Sequence, residues 1–304
     1  MSEKTLRPAP LRPGDRIAVV GGSYFARMTR SELEHGVRKM GLEPVIFESA
    51  LAKHGPFAGP DSLRARDINA AFADDSIKGV VPIKGGYGSH RVLPLLDFDM
   101  IAKHPKFFGG FSDVTAYINL IRQKCNFETY HVSMVEAWER GLDPYTESYV
   151  RAMLFGEKIE YKNPPGFELK TVQGGVAEGE ICGGNLSLIC YSLGTKFEID
   201  TKGKILFVET VEGRPMQLDS FFTQLRNAGK LDDAAGIMFG QFTDTVGEPD
   251  VIKEWYDRCV EEILLPTGKP IMSGLQIGHG KITMALPVGR RMRLDATNRT
   301  LKEI

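Results

Sequence analysis

A chain of 304 residues, 42% hydrophobic and 25% charged, can hold two ordinary domains and has the make-up of a soluble globular protein. Its formal net charge of −1 gives no electrostatic reason to bind nucleic acid or an anionic membrane surface. Cys125, Cys182, Cys190 and Cys259 form no CxxC pair, which argues against a zinc knuckle or a thioredoxin-like site and suits a reducing compartment.

Leu11 to Asp15 reads as a turn leading into a strand, RIAVV, closed by Gly21-Gly22-Ser23. A helix over 31–40, with Gly41 as its stop, precedes a second strand, PVIF. A helix over 62–73 then leads to a third strand over 77–83, with Pro82 near its end. Strand, helix, strand, helix, strand is the rhythm of a parallel α/β sheet, whose working loops lie at the carboxyl ends of the strands. Lys84-Gly85-Gly86-Tyr87-Gly88-Ser89 is such a loop. It fits a phosphate cradle poorly, because neither GxGxxG nor GxxxxGK[ST] is present; an oxyanion hole and a plain tight turn remain open. Arg91 and Asp97, flanking a leucine-rich helix, read as a structural ion pair.

FFGGFSDVTAYINLI, over 107–121, reads as a short buried strand, a glycine-tight turn, one serine and an amphipathic helix. Val114, Tyr117, Ile118 and Ile121 fall on one helix face. Ser112 would thus sit at a strand tip and a helix start, either as a nucleophile or as an ordinary helix cap. A strand carrying His131 follows over 127–134, where the histidine is at most a supporting residue, then a helix over 146–155. The stretch 157–174, with Pro164-Pro165-Gly166 and no periodicity, is the candidate linker between domains at 1–156 and 175–304.

The second half is richer in short strands. A strand over 176–182 leads through Gly183-Gly184-Asn185 to a helix over 186–193. KILFV is expected to end at Glu209, and a helix over 215–228 carries Leu218, Phe221, Phe222 and Leu225 on one face. Strands over 236–242 and 270–272 bracket an amphipathic helix over 250–264. After Leu275-Gln276-Ile277-Gly278-His279-Gly280, short strands run on to Leu294.

Serine catalysis requires a base, a group that orients the base, and donors for the oxyanion. Of six histidines, His279 alone is bracketed by glycines, which leaves its imidazole without steric cover; a turn histidine is the competing reading. Glu209, at a strand end, is the candidate orienter, with Glu212 as the understudy and a solvated edge residue as the alternative. No HExxH motif or spaced His/Asp cluster argues for a metal.

Taken together, LRPGDRIAVV, RARDINAAFADDSIKGVVPIKGGYGSHRVLPLLDFDMI, FFGGFSDVTA, GGNLSLICYSLGT, ILFVET with QLDSFFTQLRNAG, and GHGKITMALPVG resemble the LD-carboxypeptidases, in that family's order and over nearly the whole length. The resemblance implies a Rossmann-like N-terminal domain with a parallel sheet and a C-terminal mixed α/β domain, partly barrel-like. It implies a Ser-Glu-His triad of Ser112, Glu209 and His279, with oxyanion donors from the N–H groups of Asp113 and Gly86. Lys84, Gly85 and Tyr87 become candidates for contact with substrate. The implied reaction is release of a terminal D-amino acid, in the first instance D-Ala, from a muropeptide, with no cofactor and with a homodimer as the assembly. The alternative within the family is a microcin C immunity-type hydrolase acting on aminoacyl- or peptidyl-nucleotide amides; those relatives add an aromatic loop, whereas this chain has only Trp138 and Trp255 and no obvious insertion.

Three departures bear on specificity. Lys84 stands where the family commonly has arginine, His131-Val132-Ser133 where an aromatic or histidine precedes Gly-Pro, and Gly21-Gly22-Ser23 where Ala-Pro-Ser is usual. No apolar run reaches bilayer-spanning length, and MSEKTLRPAPLRPGD lacks the apolar core of a signal peptide, so a cytoplasmic protein with a small peptide substrate is expected.

Overall fold

Short apolar runs buried on both faces are what a parallel sheet under helices requires, and the first half of the chain is built from them. The computed structural model describes residues 5–304, so the first four residues of the amino-terminal stretch lie outside the described residues. Two compact units result: the chain through Ile159 with Ala285–Gly289, and Glu160–Met284 with Arg290–Ile304.

In the first unit, β1 (Arg16–Val20), β2 (Glu43–Ile46), β3 (Ile77–Pro82) and β4 (Phe107–Phe108) form a parallel sheet in the order β2-β1-β3-β4. Ile17, Ala18, Val19, Val20, Val80 and Val81 are wholly buried in it. The helix Arg30–Lys39 opens on a capping box in which Thr29 and Glu32 satisfy each other's backbone N–H. The helix Thr115–Cys125 buries Tyr117, Ile118 and Ile121, the face read from the sequence, and stops at Asn126 in the left-handed conformation. Leu6 pairs its backbone with Asn126 and Glu128. A further strand of the unit, β5 (Thr129–His131), lies outside the parallel sheet. Arg91 pairs with Asp61 at 2.9 Å, not with Asp97, which instead caps the helix Phe98–Lys103 through the Met100 N–H.

The second unit's strands are β6 (Lys170–Gln173), β7 (Val176–Asn185), β8 (Ile205–Val211), β9 (Gly236–Thr243) and β10 (Ile271–Ser273). After β11 (Leu286–Val288) come β12 (Arg291–Asp295) and β13 (Thr300–Glu303). All but β11 make one curled, half-barrel mixed sheet in the order β13-β12-β7-β8-β9-β10-β6. Its core joins Leu206, Val208, Ile237 and Phe239 of the sheet to Leu218, Phe222 and Leu225 of the helix Pro215–Asn227.

Three boundaries differ from the sequence reading. The stretch expected to be a linker carries β6, an edge strand paired to β10, and clusters with the second unit from Glu160 onward. β11 pairs antiparallel with β5 and belongs to the first unit, so that unit is closed by a late return of the chain. Glu209 does not end its strand: β8 runs to Val211, and the pairing with β9 shifts register between Val208 and Thr210.

The join of β7 to β8 depends on one glycine. Gly183 has φ 122°, and a Cβ there would lie 1.8 Å from the Phe207 carbonyl oxygen. Gly183→Ala is expected to destabilise the protein by about 3 kcal/mol or more, through overpacking and a backbone angle alanine resists. Thermal or denaturant unfolding checks it, and an unchanged midpoint would contradict the register described.

Candidate active site

Ser112 follows β4 through Gly109 and Gly110. Both glycines are forced by close approach, since a Cβ on either would come within 2.6 Å of a valine methyl, of Val132 or of Val114. Ser112 has φ 61°, in the left-handed region that non-glycine residues avoid. Ser112–Val114 form one 3-10 turn ahead of the helix Thr115–Cys125, and neither element is closed by a side-chain cap. The Ser112 hydroxyl is therefore not spent as a helix cap. A strained serine on a sharp strand-to-helix turn is the geometry of a nucleophile elbow, in which the backbone lifts the hydroxyl clear of its neighbours.

Gly85 forms the wall beside it. A Cβ at Gly85 would sit 2.7 Å from the Ser112 Cβ, 2.9 Å from its Oγ and 3.4 Å from the Asp113 nitrogen. Gly86 next to it has φ 120°, and the Tyr24 ring packs where its side chain would be. Tyr87 is 46% exposed, its ring 6.2 Å from that of Phe57. Lys84 pairs with Glu136 at 3.4 Å, and Glu136 also holds Arg140 at 2.9 Å. The Lys84 ammonium is thus partly neutralised and only partly exposed. His131 is buried, opposite Leu286 in register, with its ring edge-on to Phe111 at 5.8 Å.

The Asp113 side chain is wholly buried and gathers three hydrogen bonds: Ser23 Oγ donates at 2.5 Å, the Ser89 N–H at 2.8 Å and the Ser89 Oγ at 3.0 Å. Burial pushes this carboxyl above the usual carboxylate range, while the Ser23 and Ser89 donors pull it back. Left-handed strain at Ser112 costs on the order of 1–3 kcal/mol. A hydrogen bond to a charged group contributes about 1.5–3 kcal/mol. Several such bonds on the next residue are enough to hold the turn. The sequence reading valued Asp113 for its backbone alone and missed this carboxylate; Ser23 and Ser89, each just after a glycine in a strand-end loop, were the available signal.

In the second unit, His279 Nδ1 lies 2.7 Å from Glu209 Oε2, with the Glu209 side chain fully buried and that of His279 16% exposed. An ionised carboxylate only accepts, so the neutral imidazole carries its proton on Nδ1 and keeps the lone pair on Nε2, the tautomer a general base needs. Glu209 stands opposite Asn185 in the unbroken pairing of β8 with β7, and Asn185 is itself buried and caps the helix Leu186–Ser192. Glu209 Oε1 accepts no hydrogen bond among the described residues. Glu212, the understudy, lies beyond the strand at φ 56° and takes no part in this pair.

The glycines around His279 serve close approach rather than exposure. A Cβ at Gly278 would lie 3.0 Å from Glu209 Oε2, and one at Gly280 2.4 Å from Gln241 Nε2. Gln241 accepts from the Gly280 N–H at 2.8 Å and donates to Gln276 Oε1 and the Ile282 carbonyl. It clamps the histidine loop, and nothing in GIMFGQF marked it. Among the described residues no group of three or more His, Cys, Asp or Glu side chains is arranged to hold a metal ion.

Models of the LD-carboxypeptidase N-terminal and C-terminal domains match residues 17–132 and 178–294. The chain belongs to the LD-carboxypeptidase family. It is a serine-type hydrolase by that membership. A Bacillus subtilis (strain 168) protein named "Probable murein peptide carboxypeptidase" is 33% identical over 97% of this chain and 93% of its own length. The Escherichia coli microcin C7 self-immunity protein MccF is 24% identical over 97% and 95% respectively. Two solved structures share the fold. MccF in its wild-type apo state has a TM-score of 0.86 at 22% identity, covering 98% of both chains. A muramoyltetrapeptide carboxypeptidase from Oxalobacter formigenes has a TM-score of 0.77 at 24% identity, covering 94% of this chain and 97% of its own.

Gly85→Ala would press a methyl group onto Ser112. The variant is expected to keep its unfolding midpoint within a few degrees while its rate of labelling by a fluorophosphonate falls about 100-fold, the scale of losing one well-placed active-site group. Wild-type labelling would contradict the packing of Gly85 on Ser112.

Proposed function

We propose that the protein is a serine carboxypeptidase that cleaves the L,D-amide to a terminal D-amino acid, D-alanine in the first instance, of a muropeptide. Ser112, Glu209 and His279 are the proposed triad. His279 Nε2 takes the proton of Ser112 Oγ, and Glu209 holds the imidazole through Nδ1 and stabilises its positive charge. Ser112 Oγ attacks the carbonyl carbon, and the N–H groups of Asp113 and Gly86 receive the oxyanion. His279 then returns the proton to the departing amine, and water, activated by the same nitrogen, hydrolyses the acyl-enzyme.

The Ser112 turn carries this reading: a positive φ at a non-glycine residue, a hydroxyl not used as a cap, and a glycine wall against it. The His279–Glu209 pair supports it, because a wholly buried glutamate holding the outer nitrogen of a histidine is the arrangement that fixes a base. The murein substrate is supported by the name of the relative at 33% identity. Lys84 is the proposed reader of the terminal carboxylate, as a point charge shared with Glu136 rather than a bidentate fork. A nucleotide-amide substrate, as in immunity-type relatives, is less well supported. Trp138 is 1% exposed, with its Nε1 bound to the Ser133 carbonyl, so it offers no face to a base.

Ser112→Ala is expected to abolish release of D-alanine from an L,D-tetrapeptide while the circular dichroism spectrum stays unchanged. Glu209→Gln should lower kcat about 1,000-fold or more, since the amide no longer fixes the correct imidazole tautomer. Chromatographic assay of released D-alanine, run beside an aminoacyl sulfamoyl-adenosine, checks both. Turnover by Ser112→Ala would remove the nucleophile, and cleavage of the nucleotide amide alone would replace the substrate.

A further inference from the structure

Three strand-end loops meet around the Ser112 turn: 21–23 after β1, 84–89 after β3 and 109–113 after β4. Two buried side chains tie them together. The Arg64 guanidinium, fully buried on the helix Asp61–Ala73, donates to the carbonyls of Gly22 at 3.0 Å and Gly88 at 3.1 Å. Tyr117 Oη donates to the same Gly22 carbonyl at 2.9 Å. On the other side the Asp113 carboxylate takes Ser23 and both donors of Ser89. The glycine loop is therefore held at both its ends. Ile83 N–H donates to the Val20 carbonyl at 3.0 Å, and Ser89 is fixed by Asp113. Between these anchors lie Gly85 and Gly86, residues with no side chain of their own by which to be positioned.

We propose that the Asp113 carboxylate is the positioning group of the oxyanion cradle: Asp113 supplies one donor through its backbone N–H and, by gripping Ser89, sets where the Gly86 N–H points. The two donors belong to different loops, and no backbone hydrogen bond in the described structure joins Gly86 to Asp113. Their spacing thus depends on the side chain that bridges the loops. Ser23 completes the device by bringing in the loop after β1, whose next residue, Tyr24, packs its ring on Gly86. An exposed helix-start acid would do none of this; a carboxylate that is 0% exposed and triply bonded cannot move without moving both donors. This role rests on the serine-hydrolase reading above.

The test compares Asp113→Ala, Asp113→Asn and Ser23→Ala with the wild type, each checked for a folded circular dichroism spectrum and unfolding midpoint. Asp113→Ala is expected to lower kcat about 100-fold, the scale of losing an oxyanion donor, with KM within about threefold and the rate of fluorophosphonate labelling falling in step. Asp113→Asn should recover at least about tenfold of that loss. Its amide oxygen can accept from the Ser89 N–H and the Ser23 hydroxyl, and the Ser89 hydroxyl can turn to accept from its NH₂. Ser23→Ala should lower kcat about fivefold alone and add nothing to Asp113→Ala, the non-additivity of groups in one network. A merely structural carboxylate would lower the unfolding midpoint and leave kcat per folded molecule unchanged, which overturns the proposal. If Asp113→Ala does not fold, Ser23→Ala decides: a kcat within about 1.5-fold of wild type overturns the proposal, and a fall of about fivefold or more sustains it, the smaller figure being the scale of one typical hydrogen bond. Activity in Ser112→Ala, or no labelling of the wild type, would instead defeat the underlying reading. Wild-type behaviour of the Asp113 variants beside an inert Ser112→Ala defeats this inference alone.

Discussion

Ser112 stands at φ 61°, and the residue after it is pinned. Asp113 is inside the protein, and its carboxylate is the acceptor for donors from two other loops. The glycines on either side of the serine then follow as necessities. Gly85, Gly109 and Gly110 sit where any Cβ would strike Ser112, Val132 or Val114. A parallel sheet places its strand ends together on one edge. What converts that edge into a site is the polar network that stops the loops from relaxing to less strained shapes.

The second unit solves a related problem with a bulge. Strand β8 enters as an apolar run, and the register slip after Val208 turns Glu209 toward the histidine loop without ending the strand. A buried carboxylate held by a single histidine is a poor way to stabilise a fold. The local structure nevertheless conforms to it: Gly278 gives way to Glu209, and Gln241 fixes the far side of the loop.

Much of this was legible in the residues. The 3.6-residue spacing of Val114, Tyr117, Ile118 and Ile121 and the apolar run RIAVV are local signals, and local signals are what periodicity reports. The Ser112 turn and the isolated GHG were visible for the same reason. What stayed hidden was non-local. β6 is a short edge strand of mixed polarity, 170–173, with no pattern to mark it, and β11 joins the first unit across more than a hundred residues of intervening chain. The continuation of β8 past Glu209 was masked because Thr210 and Glu212 look like a strand's end, whereas Thr210 pairs with Phe242 across the bulge. The Asp113 carboxylate went unnoticed because its partners, Ser23 and Ser89, are distant in sequence; Arg91 reads as a partner of Asp97 by proximity in sequence, when its partner Asp61 lies on another helix.

The proposed chemistry requires Ser112 Oγ to be the nucleophile. The most direct measurement is peptide mapping by mass spectrometry after reaction with a fluorophosphonate, with and without excess muropeptide. The expected result is a single adduct on the peptide containing Ser112, suppressed by the muropeptide. An adduct on another residue, or none on a folded protein that still releases D-alanine, would contradict it.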